Sequence, residues 1–373
     1  MADTFRFHAD HVGSLLRPQA LLEARRRVEA GMIEPEELRE VENEAIAAAV
    51  QLQKRAGLTV FTDGEFRRPD FRGGLVEAVD GISATIVEMP WHGPNGVEKL
   101  PSVQYTATER LEQRRRITEG DVEFMRTLTR GHLKVTLIAP GFAAERFWKD
   151  GVTDKAYASR EEFGAELAEI TRREIEALFA EGVVYVQLDN PGYAAFLDEH
   201  TRSGSGSGYS ASAESFERIF NVDAAAVAGV KRPDGACIAM HVCRGNNSSL
   251  WLAEGGYEPI AERLFGELPV DRFLLEFDDA RSGGFEPLRF VPAGRQVVLG
   301  LISSKNPELE DLEELLGRID EAAKLVEIDD LAVSPQCGFA SVAGGGNRLT
   351  ADDEFKKLRL VADTAVAAWG FET

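Results

Sequence analysis

Short runs of continuous apolar residues alternate along the chain with longer stretches whose apolar positions recur at helical spacing. Eight runs have the length and composition of strands buried on both faces: 7–12, 59–62, 134–139, 184–188, 236–242, 273–277, 296–302 and 331–333. Helical stretches fall between them. In 35–56, Pro35 stands at a first helical position, Leu38, Val41, Ala45, Ala49 and Leu52 line one face, and Gly57 supplies a stop. Residues 161–181 and 311–325 read the same way. Strand–helix alternation repeated eight times predicts an α/β fold, a (β/α)8 TIM barrel, as a single domain spanning 1–373. An open doubly wound sheet is the weaker reading, because no G-x-G-x-x-G or P-loop follows the first strand. The interval from 64 to 133 is too long for one helix. Runs at 82–87 and 103–108 flank Pro90, Gly93, Pro94 and Gly96, which predicts a β-hairpin inserted between strands two and three. Ser203-Gly-Ser-Gly-Ser-Gly208 has the composition of a flexible loop, either a plain surface loop or a lid over the barrel mouth.

Composition narrows the function classes. The 373 residues are 44% hydrophobic, enough for a large core, and the formal net charge is −21. That balance disfavours nucleic acid and anionic membrane surfaces as partners. No apolar run approaches the ~20 residues of a membrane span, and the first residues lack a signal-peptide core. Three widely spaced cysteines predict a reducing, cytoplasmic setting and no disulfide framework.

The polar residues with chemical potential gather where strands end. Gly13 and Ser14 follow the first strand, Asp63 to Glu65 the second, and Asp189 the fourth. His241 and Cys243 end the fifth, Glu276 the sixth, Ser303 and Ser304 the seventh, and Cys337 follows the eighth. Barrel enzymes carry their chemistry at this face. In a strand, residues two apart share a face, so His241 and Cys243 can reach one ion. One imidazole, two thiolates and a displaceable carboxylate match a catalytic Zn2+ site. Cys237 shares that face but lies four residues from His241, roughly 13 Å at strand rise, and reads as a packing residue. His11, just before Gly13-Ser14, is the other histidine near the expected mouth.

These residues resemble a known family. The His-x-Cys word, the late Glu and the later Cys look like the C-terminal catalytic barrel of cobalamin-independent methionine synthase, and most of all its stand-alone single-barrel relatives. Thr62-Asp-Gly-Glu65, His241-Val-Cys-Arg-Gly-Asn246 and Gly300-Leu-Ile-Ser-Ser-Lys305 carry the likeness. The resemblance implies zinc on His241, Cys243, Glu276 and Cys337. It implies that Ser14 meets the carboxylate of a small-molecule amino-acid thiol such as homocysteine, and that Glu65 and Asp189 meet its ammonium. The implied activity is transfer of a methyl or related alkyl group to that thiol, giving methionine when the thiol is homocysteine. The methyl donor is a folate, a corrinoid or another methylated compound.

The chain also departs from that family pattern. Its 373 residues are expected to hold one barrel, with no room for the duplicated N-terminal barrel that helps hold a folate tail in the full enzymes. Ser303-Ser304-Lys305 stands where the full enzymes carry a proton-donating histidine, and Asn190 where they carry an acid. His11 is the candidate replacement proton donor. A long-tailed methylfolate is therefore expected to be a poor donor. Other readings are thiol addition to an epoxide, as in coenzyme M transferases, a uroporphyrinogen decarboxylase-like lyase without zinc, and a purely structural zinc protein.

Overall fold

The computed structural model describes residues 7–93, 96–202, 211–340 and 347–370. Seven parallel strands form one curled sheet in the order β1 (Val60–Phe61), β4 (His132–Ile138), β5 (Tyr185–Asp189), β6 (Cys237–Val242), β7 (Arg272–Glu276), β8 (Gln296–Ile302) and β9 (Leu331–Pro335). The segment after Phe7 pairs in parallel with β9 at Ala9–Val333, and His11 Nε2 lies 3.3 Å from Val60 O. It thus bridges the two sheet edges and closes the (β/α)8 barrel.

The expected strand 7–12 is reduced to the single bridge at Ala9 and the expected strand 59–62 to two residues, for one physical reason: side chains take the backbone groups that a ladder would use. The carbonyls of Phe7, His11 and Val12 accept from Arg272, Lys134 and Gln187 side chains. Gln53 bonds both the N–H and the C=O of Thr62, which ends β1 after Phe61.

Alternation sorts the strands. Val186, Leu188, Ile238, Met240, Phe273, Leu275, Val297 and Leu299 face the helices and join the main core. Val12, Val60, Tyr185, Cys237, Ala239, Leu274, Val298 and Ala332 form a second, smaller core inside the barrel. Below it, Asp10 is buried between Lys134 (2.9 Å), Arg272 (3.0 Å) and the Tyr185 hydroxyl (2.7 Å). These partners outweigh the desolvation that opposes the charge and hold the Asp10 carboxyl down at about 2. Following the same inward columns upward past the apolar layer leads to Asp189, His241 and Glu276 at the C-terminal rim.

The insertion is longer than expected. β2 (Val79–Gly93) and β3 (Gly96–Gln113) form an antiparallel ribbon that runs straight through Pro90, opposite Lys99. Each strand of a two-stranded ribbon has an open edge, where proline is tolerated. The ribbon is fastened near its tip by paired bonds between His92 and Trp251 (2.7 and 2.9 Å) and in its middle by Arg72 donating to Val103 O (2.8 Å). The Gly/Ser run 203–208 lies outside the described residues. Among the described residues, no helix is long and apolar enough to cross a membrane.

Candidate metal centre and substrate cavity

His241 and Cys243 rise from β6, Glu276 ends β7, and Cys337 follows β9. One ligand atom from each of the four lies within 4.8 Å of the others. The two sulfurs are 3.4 Å apart. Three separate strand ends thus converge on a volume the size of one ion.

The surroundings fit a metal. His241 Nδ1 and Asp189 Oδ1 are 2.8 Å apart, while Nε2 is buried without a protein hydrogen-bond partner. A carboxylate behind one ring nitrogen, with the other left bare, is the usual outer shell of a metal-binding histidine. Gly245 N donates to Cys243 Sγ at 3.2 Å. Cys243 beside it, with the His241 imidazole close by, draws the Cys337 thiol down to about 6 against its burial, while the same contact pushes the Cys243 thiol up. Of the two thiols, Cys337 is thus the one poised as the thiolate that a soft cation needs. Cys237 lies in the inner apolar core, and burial pushes its thiol up.

A cavity of about 460 Å3 opens over His241, Cys243 and Cys337. Ser14, Glu65 and Asp189 line it too, so all three expected substrate contacts reach the space beside the ligand set. Glu65 is held in a left-handed conformation (φ 60) by its own N–H donating to Asp63. Thr136 donates to one of its carboxylate oxygens at 2.8 Å, and the other oxygen is buried without a partner. Burial raises the Glu65 pKa, Arg68 opposes that, and Asp189 adds to it. The opposite wall comes from the inserted ribbon and neighbouring helices, with Phe71, Trp91, Tyr105, Phe142 and Phe147. Arg72 there is engaged by Asp70.

Residues 7–350 match the sequence model for the catalytic domain of cobalamin-independent synthase. The chain belongs to this family. Uncharacterized protein YxjH of Bacillus subtilis is 38% identical over 368 residues, which cover 97% of this chain and 95% of the relative. Methionine synthase of Pyrococcus abyssi is 26% identical over 330 residues, 88% of this chain and 85% of that one. A crystal structure from Listeria monocytogenes, described as a candidate vitamin-B12 independent methionine synthase, aligns with TM-score 0.74 at 30% identity. It covers 99% of this chain and 100% of the other. A B12-independent methionine synthase from Shewanella aligns at 22% identity with the same TM-score, a likeness of fold.

Within this synthase barrel, the structure sets His11 apart from the other expected site residues. Its side chain is buried and points to Val60 O, and it does not line the cavity. Burial, with Lys134 nearby, lowers its pKa to about 4. A proton donor must come within hydrogen-bond reach of its target, and His11 does not reach this space. Sequence reading also passed over Gln336, Ser304 and Lys305 as partners of the ligand set. Gln336 adjoins Cys337, and Ser304-Lys305 ends a barrel strand, so position alone was the available signal.

Proposed function

We propose that this synthase-family protein is a zinc-dependent S-methyltransferase that alkylates a small amino-acid thiol, with homocysteine as the leading acceptor. The observation that carries the reading is the His241–Cys243–Glu276–Cys337 set, three of whose members line a cavity that Glu65 and Asp189 line as well. A zinc ion held there supplies a Lewis acid that keeps an incoming sulfur as thiolate at neutral pH. Asp189 fixes the tautomer and ring direction of His241. The unpartnered Glu65 oxygen and Asp189 receive the substrate ammonium, and Ser14 receives its carboxylate. These contacts aim the sulfur at the ligand set and leave its far side toward the aromatic wall, where the donor enters.

That wall favours a donor without a long anionic tail. It is largely apolar, and of its two arginines, Arg72 and Arg146, the first is neutralised by Asp70. No histidine stands after β8 to protonate a departing folate nitrogen, and His11 lies off the cavity. A corrinoid, or a small activated methyl or alkyl compound with a stable leaving group, needs no such proton. The test is a side-by-side rate comparison at equal homocysteine, with methylfolate triglutamate, methylcobalamin and a small methyl donor, read as methionine by mass spectrometry. The proposal expects methionine from at least one of the last two, faster than from the folate. Absence of methionine with every donor contradicts the acceptor assignment. A faster folate rate contradicts the donor assignment alone.

A further inference from the structure

Glu276 differs from the other three ligands in one respect: protein donors already hold both of its carboxylate oxygens. Arg244 N donates to Oε1 at 2.7 Å and Gln336 Nε2 to Oε2 at 3.1 Å. The direction of the Gln336 amide is set from behind, because Ser304 donates to Gln336 Oε1 through both its N–H (3.1 Å) and its hydroxyl. The amide nitrogen must then face Glu276. The space for this side chain exists because position 300, directly paired with Glu276, is glycine. A Cβ on Gly300 would lie 2.7 Å from Gln336 Cα. Behind the pair, Lys305 Nζ lies 4.0 Å from Glu276 Oε2, buried and without a hydrogen-bond partner.

We propose that Gln336 is a latch for Glu276: it receives the carboxylate when a substrate thiol takes its place in the ligand set, and so sets how readily that exchange occurs. The inference rests on the thiol-transfer reading of the site. A carboxylate leaving a cation inside a protein is a buried charge, and without donors it is costly. The Gln336 amide offers a donor without adding a competing ligand or a charge, and Lys305 offsets the charge at longer range. The entering thiol gives up its proton to solvent, so one thiolate replaces one carboxylate. Gln336 is thus a positioning residue that acts through Glu276.

The test uses protein loaded with Co2+ in place of zinc, in which each sulfur ligand adds charge-transfer absorption, titrated with homocysteine. Gln336→Met keeps the volume and removes the donor. The variant is expected to hold one metal per chain and to need at least tenfold more homocysteine for half the spectral change. Ser304→Ala, which removes the hydroxyl bond to the amide and keeps the backbone one, is expected to shift the midpoint the same way by a smaller factor. A Gln336→Met midpoint within twofold of the parent overturns the latch. Loss of the metal from Gln336→Met also overturns it, since Gln336 would then be part of metal retention. A parent protein that shows no response to homocysteine removes the thiol-transfer reading and the latch with it. A parent response with unshifted variants removes the latch alone.

Discussion

At the scale of single residues, the convergence of His241, Cys243, Glu276 and Cys337 was legible because their chemistry is rare in this chain. Three cysteines and six histidines leave few ways to write His-x-Cys in a strand. Cys243→Ser and Cys337→Ser are each expected to lose most bound zinc on dialysis, and Cys237→Ser to keep it, as read by metal analysis. Full retention in both ligand variants would contradict the assignment. Asp189 was legible as an acid at a strand end, but its bond to His241 was not, because it depends on the β5–β6 register that sets Asp189 beside His241. Asp189→Asn is therefore expected to weaken zinc binding by about 10–100-fold in a chelator competition, the scale of outer-shell partners, besides weakening homocysteine. Unchanged zinc affinity with weaker homocysteine binding would leave Asp189 a substrate contact only.

At the scale of elements, seven of the eight apolar runs became strands of the sheet, while side chains captured backbone groups in two, leaving 7–12 a single bridge and β1 two residues long. Such captures pair residues far apart in sequence, such as Arg272 with Phe7 O, and no local pattern announces them. The ribbon was found but cut short, since Pro90 reads as a strand end unless the strand is known to lie at an edge. Packing between helices adds a testable case. A Cβ at Gly141, in helix Pro140–Phe147, would lie 2.3 Å from Ile219 O in helix Ala213–Val227. Gly141→Ala is expected to cost about 1–3 kcal/mol by overpacking, seen as a lower urea midpoint; an unchanged midpoint would mean these helices can part freely. Helix Ala351–Trp369 is docked by Glu354, which accepts from Leu16 N at 2.7 Å. Burial raises the Glu354 pKa from 4.5 to about 8. Between those values the unfolded chain has released a proton that the folded one keeps, so stability falls as pH rises from 4.5 to 8. Glu354→Gln should flatten that slope and exceed the parent at pH 8, by a few kcal/mol at most at ~1.4 kcal/mol per unit. Parallel stability–pH curves for the two proteins would contradict this.

At the scale of the whole molecule, the barrel brings five strand ends and an inserted ribbon around one cavity, with His241, Cys243 and Cys337 on its inner wall. The sequence showed the alternation and the rim chemistry. The inserted ribbon's folding back to wall that cavity is a tertiary fact, fixed by contacts such as His92 with Trp251. The most direct measurement is the zinc K-edge absorption spectrum of the metal-loaded protein before and after homocysteine is added. The expected result is one zinc with two sulfur ligands at rest, from Cys243 and Cys337, and a third sulfur once the thiol is bound, with one nitrogen or oxygen ligand lost. A shell that begins with two sulfurs and stays unchanged with homocysteine and with other small thiols would mark a closed structural site and contradict a thiol-alkylating role.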